Sequence, residues 1–392
     1  MTLFDGIRSR LVETPGLNVN ILERDGDDPS TPPERTVVFI HGNVSSALFW
    51  QEVMQDLPSD LRVLAIDLRG FGGTEHAPVD ATRGVRDFSD DVWATLEALG
   101  IPTAHLVGWS MGGGVVMQYA LDHPALSLTL QSPVSPYGFG GTRRDGTRLT
   151  DDDAGTGGRA ANPDFVQRLI DHDTSADAPT SPRSVFHSGY VAAGYESEHE
   201  DVWVESMLTT STATGNYPGD GVASENWPGF APGTIGVLNT MVPQNFNVSG
   251  IVDLAPKPPI VWIHGTADAI VSDASFYDLN YLGQLGIVPG WPGADVAPPQ
   301  EMVSQTRDVL DAYTAKVVAL ARTATVTSSA SAARGPWRHA DSATERVVRA
   351  GAMDAVRVAM ASTSWRAWRS RSSSRARSSA STESVTSWEK RR

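Results

Sequence analysis

The sequence predicts an α/β protein built on a mostly parallel, doubly wound sheet, and three observations lead there. Short apolar runs recur at 36–40, 62–67, 105–109 and 259–264, the first of them β-branched, and 126–133 reads as a further strand. Helically spaced segments separate several of them, with Val92, Leu96 and Leu99 marking one at 89–99 and a Gly-opened one at 111–121. Strands that are apolar along their whole length and alternate with helices are those of a parallel sheet covered on both faces.

Taken in order, segment 7–25 alternates apolar and polar residues around Pro15-Gly16, the pattern of a paired strand and turn. The run at 36–40 ends in His41-Gly42, and the runs at 62–67 and 105–109 continue the sheet. From 135 to 253 the pattern breaks into Gly, Pro, Asp and Ser clusters with scattered aromatics (Trp203, Tyr217, Trp227, Phe230), which reads as an inserted cap. The strand signal returns at 259–264, so residues 1–134 and 254–315 are expected to form the core. Residues 316–392 are dominated by Ser, Ala and Arg and have little from which to build a core.

Of the 392 residues, 40% are hydrophobic and 20% charged, a globular composition that excludes a fibrous or wholly disordered chain. No cysteine is present, so any nucleophile is an oxygen or an amine. The net charge of −15 is uneven: from Lys316 onward 15 Lys+Arg face 5 Asp+Glu, while the preceding residues hold 16 against 41. No stretch approaches the length of a membrane span and the opening residues lack a signal-peptide pattern, so a cytoplasmic location is expected, with no membrane and no nucleic-acid partner.

Gly108-Trp109-Ser110-Met111-Gly112 has the form Gly-x-Ser-x-Gly between an apolar strand and a helix. Such a turn holds its serine in a strained conformation with the hydroxyl at the carboxyl edge of the sheet. A serine nucleophile needs a base to take its proton and donors for the oxyanion it creates. By position the donors are the main-chain N–H groups of Met111, at the start of the following helix, and of Asn43, just after His41-Gly42. Asp268, after the strand at 259–264, stands where a triad acid belongs, with Asp253 and Asp273 as alternatives. His41, His105 and His123 read as structural, and no histidine pair has metal-ligand spacing on a helix, so neither metal nor cofactor is expected.

Together with Asp67-Leu68-Arg69-Gly70-Phe71-Gly72, these motifs resemble the α/β-hydrolase superfamily, in its group of capped esterases, lipases, perhydrolases and C–C bond hydrolases. The resemblance implies a catalytic nucleophile at Ser110, an acid at Asp268 and an oxyanion hole at Asn43 and Met111. It also implies a small-molecule ester or acyl substrate, cleaved through an acyl-enzyme. Trp109 and the cap aromatics Trp203 and Trp227, with Tyr217 and Phe230, are candidate substrate-binding residues, and the cap aromatics read equally as cap core. The Ser110-Met111-Gly112-Gly113-Gly114 run is similar to cofactor-free perhydrolases and haloperoxidases, whereas haloalkane dehalogenases and epoxide hydrolases carry Asp at the serine's place.

The family's base is a histidine in a Gly-His pair after the last core strand, and no Gly-His follows Asp268. The sole histidine beyond Asp268 is His339, which by order is the expected catalytic base. A second account of the tail is translation of the gene's 3′ end in a shifted frame: Ser342-Ala343-Thr344, encoded TCG-GCC-ACN, spells Gly-His two bases along. On that account the chain is catalytically impaired; a separate reading, which the missing Gly-His also favours, is a binding-only protein on the hydrolase fold.

Overall fold

The computed structural model describes residues 1–313 and, as main chain only, 318–322. An eight-stranded sheet runs through the molecule. It opens with a hairpin, β1 (Ile7–Glu13) and β2 (Asn18–Arg24), paired antiparallel from Ile7↔Arg24 to Glu13↔Asn18. Only Ile7 and Val12 of β1 are buried, the half-buried pattern of an edge strand.

Next come β3 (Thr36–Ile40), α1 (Gln51–Asp56), β4 (Arg62–Ile66), α2 (Arg86–Ala98), β5 (His105–Trp109), α3 (Met111–Asp122) and β6 (Ser127–Gln131). Every residue of β3, β4, β5 and β6 is buried, as in the central strands of a parallel sheet covered on both faces. Helix α3 packs on β5, β3 and β6 and against α2, whose Phe88, Val92 and Leu96 face the core. Gly100, at φ +68°, ends α2 in a Schellman motif: its N–H donates to Glu97 O (3.0 Å) and that of Ile101 to Leu96 O (2.8 Å). The helix therefore stops at Ala98, one residue short of the apolar repeat.

Between β6 and the next sheet strand the chain forms α4 (Pro163–Ile170), α5 (Pro182–Val185) running into a wide turn at Phe186–Tyr190, α6 (Glu200–Leu208), and a small antiparallel pair, β7 (Gly221–Ala223) and β8 (Phe230–Pro232). This segment shares the main hydrophobic core. Trp203 of α6 stacks on Phe49 (5.3 Å between ring centres), and Phe186 and Tyr190 approach the same ring.

Then follow β9 (Ile260–Gly265), α7 (Leu279–Gln284), α8 (Met302–Tyr313) and β10 (Val318–Arg322). The strand order is β1-β2-β4-β3-β5-β6-β9-β10, parallel throughout except where β2 meets β1 and β4. The last edge strand, β10, pairs with β9 from Val318↔Val261 to Arg322↔Gly265 and so comes from the segment whose composition sets it apart. Among the described residues no helix is long and apolar enough to cross a membrane.

Candidate active site

Ser110 follows β5 directly and begins α3, with φ +55° and ψ −120°. A non-glycine residue held there costs about 1–3 kcal/mol, so the surrounding contacts must enforce it. A Cβ on Gly108 would lie 2.3 Å from Gly112 O, and one on Gly112 would lie 2.4 Å from His41 O and 2.5 Å from Ile40 O. Gly108 therefore serves the backbone-to-backbone approach of β5 to the start of α3, and Gly112 that of α3 to the end of β3. Gly42 belongs to the same contact, since a Cβ there would stand 2.9 Å from Ser110 Cβ.

Main-chain hydrogen bonds lace the strand ends together. Ser110 N–H donates to Gln131 O (3.0 Å), Val134 N–H to Ser110 O (3.0 Å), and Ser132 N–H to Ile263 O (2.8 Å). These bonds tie the carboxyl ends of β5, β6 and β9, from which Ser110, Ser132 and the Asp268 loop depart.

A cavity of about 410 Å³ opens beside Ser110, with Asn43, Trp109, Ser132 and Asp268 in its wall. Asp268 is buried, and its Oδ1 accepts the N–H groups of Ile270 (2.9 Å) and Val271 (3.0 Å), which orients the carboxylate while leaving Oδ2 without a donor among the described residues. Asp273 instead accepts from Val303 N–H, Ser304 N–H and Ser304 Oγ–H at the start of α8, and neither it nor Asp253 lines the cavity. Among the described residues no protein acceptor engages the N–H of Asn43 or of Met111. That is the condition of donors kept for a ligand.

His41 is fully buried. Its Nε2 accepts Leu68 N–H (3.0 Å), so the proton sits on Nδ1, which donates to Gly42 O (2.7 Å). The ring thus braces the loop that carries Asn43. Burial lowers its pKa from 6.5 to about 4, against the opposing pull of the Gly42 carbonyl. The unfolded chain consequently binds more protons between those values, so stability falls as the pH drops through 6.5 and the loss is complete below about 4, amounting to roughly 3 kcal/mol. Burial raises Asp67 and Asp278, which contribute the opposite slope. Urea unfolding between pH 7.5 and 4.5 is expected to lose more stability in the parent than in His41→Gln; equal losses would exclude the effect.

Asp67 is also structural: its carboxylate accepts N–H groups from Ala47 (2.7 Å) and Gly73 (2.8 Å) and the Asn20 amide (2.8 Å). His105 is buried between Ser127 Oγ and Glu34 O, and His123 stacks flat on Trp93 at 4.3 Å. His264, in β9, is pushed to lower pKa by burial with the Asp268 charge opposing, and its Nδ1 is buried without a partner. Among the described residues no histidine lines the cavity, and His339 lies outside them.

Two expected substrate contacts are not in the cavity wall. Trp203 is fully buried, because α6 docks on the turn at Ala47–Trp50 and places the indole on Phe49. Trp227 points its Nε1–H at Pro289 O (2.9 Å) and packs beside Gly283 of α7. Trp109 does line it. Aromatic content in an irregular segment does not reveal which way a ring faces, so both tryptophans serve packing here.

Tyr190 is the residue that sequence reasoning missed. Its ring meets Trp109 edge-on at 5.5 Å, and its hydroxyl donates to Asn43 O (3.0 Å) and Val44 O (3.2 Å). Val44 itself is held at φ +47°, rare for a β-branched residue, so the hydroxyl fixes a strained loop. Tyr190→Phe is expected to cost about 1–2 kcal/mol, the cost of leaving buried carbonyls without a donor. Urea unfolding of the variant checks this, and an unchanged midpoint would show that the hydroxyl does not hold the loop.

Comparison with known proteins agrees with this architecture. A family model for the alpha/beta hydrolase fold matches residues 35–182. The fluoroacetate dehalogenase of Burkholderia sp is 30% identical over 131 residues, 33% of this chain and 41% of that protein. The 2-hydroxymuconate semialdehyde hydrolase of Pseudomonas sp. (strain CF600) is 38% identical over 96 residues, 22% of this chain and 32% of that protein. The chain thus spans less than half the length of these curated relatives. The solved structure of a probable hydrolytic enzyme from Pseudomonas aeruginosa PAO1 aligns with a TM-score of 0.51 at 18% identity, covering 89% of this chain and 94% of that one, a likeness of fold. Residues 35–182 match the alpha/beta hydrolase family, and the chain has the α/β-hydrolase fold.

Proposed function

We propose that the protein is a serine hydrolase that cleaves a carboxylic ester or a related acyl bond through an acyl-enzyme. The observation that carries this reading is Ser110 itself, held at φ +55° on the first turn of α3 and opening onto the cavity. Ser110 attacks the carbonyl carbon, the N–H groups of Asn43 and Met111 hold the oxyanion, and a histidine oriented by Asp268 takes the serine proton and returns it to the leaving group. Water, activated by the same base, then releases the acid. Segment 135–253 acts as the cap, and its Phe165, Tyr190 and Tyr217 supply apolar cavity wall.

His339 is the base in this proposal. The test is hydrolysis of p-nitrophenyl butyrate by the full chain and by His339→Ala, expected to fall on the order of 10⁴-fold. One observation favours a second reading, a binding-only protein: no described histidine reaches the cavity. A fluorophosphonate that fails to label Ser110 in the full chain would support that reading and sink the first.

A further inference from the structure

The wall of the cavity beside Ser110 is largely apolar, with Val134, Phe139, Phe165, Leu238, Met241 and Leu282 contributing. Among the described residues its charged groups are two carboxylates, Asp268 and Asp278, and no lysine, arginine or histidine reaches it. Asp278 is nearly fully buried; its carboxylate caps α7 by accepting Asn280 N–H (3.0 Å) and also accepts Gln300 N–H (2.8 Å). Burial pushes its pKa up to about 6, so at pH 8 it is an anion. The residues before Lys316 reinforce that sign, with 16 Lys+Arg against 41 Asp+Glu.

An anionic group entering this cavity would leave water, find no counter-charge among the described residues, and face a second buried negative charge. The positive end of α3 favours negative charge only at the reacting carbonyl, within the first helical turn. We propose that the cavity takes the uncharged, apolar portion of a neutral acyl substrate and excludes anionic ones, with Asp278 as a specificity-determining residue. The word acyl rests on the reading of Ser110 as nucleophile; the charge selection is a property of the cavity alone.

The experiment is calorimetric binding to the full chain at pH 8 of three ligands sharing one amide end: hexanamide, adipic acid monoamide with its carboxylate at the remote end, and 6-aminohexanamide. Hexanamide is expected to bind at least about tenfold more tightly than the monoamide, and the amine, whose cation the two carboxylates can pair, also more tightly than the monoamide. Asp278→Asn should shrink that gap. Because Asp278 also caps α7, Leu282→Arg provides a second variant, placing a cation in the wall and shrinking or inverting the gap. Monoamide binding as tight as that of hexanamide or of the amine, no hexanamide binding at millimolar concentration, or an unchanged gap in the folded variants overturns the proposal. A chain that shows the expected order yet hydrolyses no ester keeps this inference and loses the hydrolase reading, so the two failures are distinct.

Discussion

A Ser110→Ala variant is expected to lose ester hydrolysis by a factor on the order of 10⁴ or more, and all labelling by fluorophosphonate. Ser110→Gly should be just as inactive, yet the two should differ in stability. At φ +55° alanine keeps the backbone strain of serine, about 1–3 kcal/mol, whereas glycine does not. Glycine in turn costs about 0.5–1 kcal/mol in unfolded-chain entropy. The strain is the larger quantity, so Ser110→Gly is expected to be the more stable of the two by about 1 kcal/mol, read from urea midpoints. Equal midpoints would show that the strain is no larger than that entropy cost, about 0.5–1 kcal/mol.

Gly112→Ala should be among the most damaging single substitutions available. In an exposed helix interior the same change stabilises by roughly 1 kcal/mol. Here the new Cβ would stand 2.4 and 2.5 Å from two carbonyl oxygens of the main chain, His41 O and Ile40 O, which cannot rotate away as a side chain can. Relief requires moving the start of α3 off β3, and a loss of about 3 kcal/mol or more is expected. Gly114→Ala is the control, since its Cβ would meet the side chains of Val134 and Phe246, and its cost should be smaller. Thermal unfolding followed by circular dichroism separates them; a Gly112→Ala midpoint at or above the parent's would contradict the close approach. Moving α3 also moves Met111 N–H relative to Asn43, so the residual folded enzyme should be slow as well.

What was legible in the sequence is what local chemistry dictates. Strands β3 and β5 fall at the residues where their apolar runs begin and end, and the elbow at Ser110 follows from its two glycines and flanking elements. The reason for those glycines is only half visible there: the positive φ belongs to the serine, Gly108 answers to the Gly112 carbonyl close by, and Gly112 answers to the carbonyls of Ile40 and His41, far away in sequence. Tyr190 was invisible for a related reason. It lies in a wide helical turn with no repeat to mark it, and its importance arises from two carbonyls almost 150 positions earlier. Trp203 and Trp227 show the converse: residue type in an irregular segment fits pocket wall and cap core alike, and the packing of both rings decides for the core. Asp278 passed unnoticed as one more aspartate in an acidic chain, and only its depth beside the cavity distinguishes it.

The laced strand ends divide the site into two kinds of information. Ser110, Ser132 and the Asp268 loop are placed by main-chain bonds between β5, β6 and β9, which any side chain except proline can satisfy. Much of the rest of the cavity wall is written in side chains of segments outside that lacing, such as Phe165, Tyr217, Leu238 and Leu282. An engineer could therefore rewrite the reception room and leave the workshop untouched: libraries at those four positions should change which molecules enter without disturbing how Ser110 is presented to them.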